Sequence, residues 1–66
     1  MIMKINKIEA GVYETEDGKF EIQKEYTSAN GGMKLVTCYV IYKSGERWMT
    51  CHTLAEAKTE VKLYYV

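Results

Sequence analysis

The chain has little of what usually marks a function. It has no net charge, since nine Lys and Arg balance nine Asp and Glu over 66 residues. A groove that neutralises several phosphates carries a basic excess, so nucleic acid is not the default partner; the same balance disfavours an acidic mimic of nucleic acid. It also lacks a long apolar run. The opening Met-Ile-Met-Lys-Ile-Asn-Lys-Ile sets lysines inside the apolar pattern, which is unlike a signal peptide and far short of a membrane span. A cytoplasmic location without membrane association is the expectation, and with it reduced thiols. Hydrophobic content of 47% nevertheless suits a folded chain. At this length it is one small domain, burying only about 60% of the surface its unfolded form exposes, so its stability margin is thin.

Reactive side chains are equally sparse. Cys38 and Cys51 are the only cysteines and His52 the only histidine. Together they offer two or three metal ligands, and Cys51 and His52, adjacent on a strand, point to opposite faces. No C-x-x-C pair is present for redox work. Gly31-Gly32 lacks the Lys-Ser/Thr that completes a phosphate loop, so residues 27–32 read as a connector. The carboxylates Glu14 and Glu21 pair across a hairpin, but on a wet strand face. No catalytic residue, metal or cofactor is expected, and the chain reads as a non-enzyme.

What the sequence does contain is strand and helix patterning. Asp17-Gly18 is a strong hairpin signal, and a turn there pairs Glu16 with Lys19, Thr15 with Phe20 and Tyr13 with Ile22. Ser44-Gly45 marks a second hairpin. A two- or four-residue loop there sets Tyr42 against Arg47, Ile41 against Trp48, Val40 against Met49 and Cys38 against Cys51; a three-residue loop with a bulge shifts the register by one. Thr53-Leu54-Ala55-Glu56 fits a capping box, and Leu54, Ala57, Val61, Tyr64 and Tyr65 then share one helical stripe. Strands are expected at about 11–16, 19–26, 34–42 and 47–52, with a helix at about 54–65. Residues 1–8 fit a short extra strand or a turn of helix. The expected fold is α+β: an antiparallel meander of three to four strands packed on one C-terminal helix, a two-layer sandwich.

The second hairpin's register divides its side chains. Val36, Cys38, Val40 and Tyr42, with Arg47, Met49, Cys51 and Thr53, form the more continuous apolar set and are assigned to the core with Phe20, Ile22, Leu54, Ala57 and Val61. Cys38 and Cys51 then face one another as two buried thiols, in a geometry that also allows a cross-strand disulfide. Leu35, Thr37, Tyr39 and Ile41, with Trp48, Thr50 and His52, are left on an open sheet face. Tyrosine and tryptophan are frequent binding hot spots, so this face is the candidate binding surface. A homodimer that hides it is an alternative.

Two resemblances bear on function. The layout of a Tyr-containing strand, "EDGKF", an aromatic strand, "KSGERW" and a closing "TLAEAK" helix resembles small accessory proteins of bacteriophages and prophages. That resemblance implies a protein in a bacterial host cell that binds a host or phage protein, defence systems among the targets. The stretch "YVIYKSGERWMTCHTLAEAKTEV" is similar to the three-stranded-sheet-plus-helix modules at the amino end of phage-type integrases. Carried over, that similarity puts Lys43, Arg47, Tyr39 and Trp48 on or near a DNA-facing sheet. The leading expectation is a non-enzymatic protein-binding module; the alternative is a nucleic-acid binder that uses the sheet face and Arg47.

Overall fold

The computed structural model describes residues 3–29 and 34–65. Five strands, β1 (Ile5–Glu9), β2 (Val12–Thr15), β3 (Phe20–Ala29), β4 (Lys34–Lys43) and β5 (Glu46–Cys51), are followed by helix α1 (Leu54–Tyr64). The strands form one antiparallel sheet in chain order, β1-β2-β3-β4-β5. The architecture is α+β, as expected, with five strands where three to four were expected. The extra one is β1, so the amino-terminal segment is a strand from Ile5 onward.

Local chemistry sets the turns. Ser44 and Gly45 have φ of +52° and +84°, the two positive values that a type I′ hairpin turn needs, and Lys43 pairs with Glu46 around them. The first hairpin closes differently from the Asp17-Gly18 expectation. The Gly18 amide bonds back to the Thr15 carbonyl at 2.9 Å, so Glu16 and Asp17 are the central residues and Gly18 (φ +75°) leaves the turn. The four-residue loop preserves the expected pairing of Tyr13 with Ile22. Part of the expected connector is strand, since β3 runs on through Ala29; Asn30, Gly31 and Gly32 lie outside the described residues. Thr53 caps the helix, accepting a 3.1 Å bond from the Glu56 amide, which satisfies one of the free donors of the first turn.

Two register features correct the expected faces. Between Ile41–Met49 and Tyr42–Arg47 the ladder slips, and Trp48 is the extra residue of a β-bulge. Ile41 therefore opposes Met49, Val40 opposes Thr50 and Tyr39 opposes Cys51. Between β3 and β4 the pairs run from Phe20–Lys43 to Ala29–Lys34, so even residues of β3 share a face with odd residues of β4. Phe20 and Ile22 thus lie with Ile41 and Tyr39, and the row Tyr13–Ile22–Ile41–Met49 crosses four strands. The helix covers this face. Phe20, Ile22, Ile41, Cys51, Ala57 and Val61 form the core, with Ile5, Tyr13, Tyr39, Met49, Leu54 and Tyr65 packed around it.

Val36, Cys38, Val40, Tyr42 and Arg47, assigned to the core from sequence, lie on the face away from the helix, the β4 residues because the register of that strand turns the other way and Arg47 because of the bulge. Val40 and Cys38 are buried there all the same, as expected, whereas Val36 and Arg47 are exposed. Cys38 and Cys51 do not face each other: Cys38 opposes Glu25, Cys51 opposes Tyr39, and both are free thiols.

Candidate functional site

Tyr39, Ile41, Trp48, Thr50 and His52, expected on the open binding face, and Arg47, expected to serve the nucleic-acid alternative, are dispersed. Ile41 is completely buried and Tyr39 is half-buried against the core. Arg47 and Thr50 lie together on the far face, where Arg47 Nη2 donates to Thr50 Oγ1 at 3.3 Å. His52 is exposed in the turn before the helix. Trp48 stays 38% exposed at the bulge, on the helix side of the sheet edge. Among the described residues the face that carries Tyr39 and Ile41 is not open, because the helix lies on it.

The aromatic side chains gather elsewhere. Phe20 is the hub of a cluster at the carboxyl end of α1, with ring centroids 5.2 Å from Trp48, 4.9 Å from Tyr64 and 5.7 Å from Tyr65. Tyr64 meets Trp48 and Tyr65 edge-on at 6.2 and 5.4 Å, the tilted geometry that ring quadrupoles favour. Lys19 and Lys43 both bring their ammonium groups to 4.6 Å from the Tyr64 centroid, and Lys19 Nζ donates to Tyr64 Oη at 2.8 Å. The Lys19 bond, reinforced by Lys43, lowers the pKa of the Tyr64 phenol. The neighbouring Tyr65 behaves oppositely. Partial burial, together with its 2.7 Å bond to the Asp17 carboxylate, raises its pKa.

Asp17 organises the adjoining turn. Its carboxylate accepts from Thr15 Oγ1 at 2.6 Å, from the Lys19 amide at 3.0 Å and from Tyr65 Oη. These bonds, that from Thr15 foremost, hold its pKa below the usual carboxylate value.

The far sheet face carries a shallow polar hollow lined by Glu14, Glu21, Gln23 and Tyr42, with Lys19 at its margin beside Gly18 and Gly45. Glu14 opposes Glu21 across β2 and β3, as the sequence suggested. Gln23 donates to Glu21, and Tyr42 Oη donates to Glu25 at 2.6 Å, which raises the pKa of the Tyr42 phenol. Burial pushes the Cys51 thiol up, the setting of an inert structural cysteine. Among the described residues no group of three His, Cys, Asp or Glu side chains is placed to hold a metal ion.

A third feature had no signal in the sequence. β2 pairs with β3 only up to Gln23, and β5 pairs with β4 only from Tyr39 onward. Residues 25–29 and 34–38 therefore project as a two-stranded ribbon that, among the described residues, pairs with no further strand on either side. Tyr26 (63% exposed) and Leu35 (68%) lie on one of its faces, and Val36 is exposed on the other. Because the Lys24 amide bonds sideways to the Gly11 carbonyl, strand alternation turns the backbone groups of Tyr26 and Ser28 to one free edge and those of Leu35 and Thr37 to the other. The outer strands are treated differently, since β1 and β5 each carry a bulge, at Ile8 and Trp48. Bulges blunt an edge against pairing.

No protein-family model matches this chain, and neither does any curated protein or solved structure. No helix among the described residues is long and apolar enough to cross a membrane.

Proposed function

We propose that this chain is a non-enzymatic protein-binding module that engages its partner through the projecting β3–β4 ribbon. The observation that carries this reading is the combination of exposed Tyr26, Leu35 and Val36 with two backbone edges that are unbulged and, among the described residues, unpaired. An isolated two-stranded ribbon is marginal in water, and addition of an extended partner segment supplies a third strand. The β4 edge at Leu35 and Thr37 is the better of the two for this, because an added strand continues the line that β5 leaves at Cys51. Main-chain bonds then provide affinity, and the exposed side chains provide selectivity. A small phage-type accessory protein acting on a host protein in the bacterial cell fits this role.

The acidic far face, with Glu14, Glu21 and Glu25, weighs against the integrase-type reading in which the sheet lies on DNA, since phosphates would be repelled there.

The test uses Leu35→Asp and Thr37→Pro, which leave the core untouched. Partners captured by the unaltered chain are purified and their binding measured directly. Both variants, folded by circular dichroism, are expected to lose at least about tenfold in affinity, the loss of a packed side chain or a strand hydrogen bond. Unchanged binding by both variants removes the ribbon from the proposal. Salt-dependent binding to random duplex DNA, weakened by Arg47→Ala, supports the nucleic-acid alternative instead.

A further inference from the structure

At the opposite end of β3 and β4 from the ribbon, Lys19, Lys43 and Tyr64 form a cluster that the protein-binding reading does not use. Its members come from three elements. Lys19 ends the first hairpin loop, Lys43 ends β4, and Tyr64 ends α1. The Ser44 amide donates to the Lys19 carbonyl at 2.8 Å, which ties the roots of the two lysines together. The Tyr64 ring is held edge-on by Phe20, Trp48 and Tyr65, so its oxygen is placed by packing and not by chance rotation.

The hydrogen-bond accounting at this oxygen is informative. Tyr64 Oη accepts from Lys19 Nζ, so its own proton points away from that ammonium. An ammonium has three donors and a phenol one. Further donors on Lys19, the donors on Lys43 and the phenolic proton are thus free to turn to one patch of solvent. Two positive charges stand there. Carboxylates border the patch: Asp17 is bonded to Thr15, the Lys19 amide and Tyr65, Glu46 stands opposite Lys43 across the turn, and Glu14 and Glu21 line the hollow on the other side of Lys19. An anion must compete with them for the two ammoniums. Beside the patch, Lys43, Ser44, Glu46, Arg47 and Trp48 line a shallow hollow with an aromatic wall and a third cation.

We infer that Lys19, Lys43 and the Tyr64 hydroxyl form a binding site for a tetrahedral oxyanion of the phosphate class, free or as a monoester whose organic group lies in the hollow beside Trp48. A dianion satisfies both ammoniums at once and accepts the phenolic proton, through charge-assisted bonds of the stronger kind. Exposure to solvent keeps the site weak and salt-sensitive.

Trp48 is the only tryptophan and touches Tyr64, so its fluorescence reports occupancy without a label. The protein is titrated with inorganic phosphate and, separately, with phenyl phosphate, each against sodium chloride of matched ionic strength. A saturable change with phosphate that chloride does not reproduce is expected. Lys43→Met is expected to weaken binding by about tenfold and Tyr64→Phe by about threefold, the loss of one charged and one neutral hydrogen bond. Tighter binding of phenyl phosphate identifies a monoester as the ligand, and equal or weaker binding identifies the free anion. A response that chloride reproduces, or one unchanged in Lys43→Met, overturns the site. Lys43→Met keeps the alkyl stem over the ring, so loss of fold is checked independently by the denaturation midpoint.

Discussion

Ile22 on β3 stands directly opposite Ile41 on β4, and both side chains are completely buried beneath the helix. That pair fixes which side of the sheet is the core. Ile41→Ala is expected to destabilise the fold by about 2–5 kcal/mol through lost burial and an unfilled cavity. Leu35→Ala, on the exposed ribbon, is expected to change stability by under about 0.5 kcal/mol. Urea denaturation of both variants distinguishes this arrangement from one with Val40 and Cys38 beneath the helix.

Two glycines in left-handed conformations separate backbone strain from steric clash. A Cβ at Gly45 meets no atom within 4 Å, whereas one at Gly11 comes within 3.2 Å of Lys24 Cβ. Gly45→Ala is expected to cost about 1 kcal/mol for its conformation alone. Gly11→Ala costs more, because β3 must yield as well. Equal midpoint shifts in thermal unfolding contradict that close approach.

Ser44 is the one non-glycine described residue with positive φ, and asparagine tolerates that conformation better. Ser44→Asn is expected to stabilise the protein by about 0.5 kcal/mol. A lower melting temperature in the variant counts against a type I′ turn there.

Asp17 ionises more readily folded than unfolded, because Thr15, the Lys19 amide and Tyr65 all donate to its carboxylate. Between its folded pKa and the ordinary carboxylate value, the unfolded chain holds more protons. Its contribution is therefore fully present above the ordinary value and is lost as pH falls through the folded one. Asp17→Asn should flatten the acid limb of the stability profile at this position and leave the neutral-to-basic limb in place. An unaltered acid limb contradicts these bonds.

The cysteines face opposite sides of the sheet, so an intramolecular disulfide cannot form without unfolding. Under mild oxidation the folded monomer is expected to keep two free thiols. Thiol titration checks this, and an oxidised monomer with no titratable thiol refutes the register.

Features set by neighbouring residues were legible in the sequence. Ser44-Gly45 specifies its turn by φ preference, Thr53 with Glu56 marks the helix start, and the stripe from Leu54 to Tyr65 gives the buried side of the helix. The face of β4 was not legible. It depends on whether residue numbers paired across β3 and β4 add to an odd or an even total, and reading residues 27–32 as a connector left that total open. The candidate surface moved for this reason. Tyr39 and Ile41 went under the helix, while Thr50 stays on the face away from it, where the Trp48 bulge brings Arg47 beside it. The Trp48 bulge belongs to the one-residue shift foreseen for a three-residue loop, but it arises inside the ladder while the turn keeps two residues. The cluster of Lys19, Lys43 and Tyr64 was hidden differently, since it joins residues 45 positions apart that meet only once the helix has docked.

The chain-order meander also governs how the molecule assembles. Each strand pairs with its immediate successor, so every ladder closes over a short stretch of chain and carries a small loop-closure entropy. Topologies of this kind fold quickly for a β-rich chain. The longest closures described are those that bring the end of α1 back to the first hairpin, Tyr64 to Lys19 and Tyr65 to Asp17. Those contacts are expected to form after the rate-limiting step, so Tyr65→Phe should speed unfolding and leave the folding rate nearly unchanged. The aromatic cluster then acts as a latch on a sheet that is already zipped.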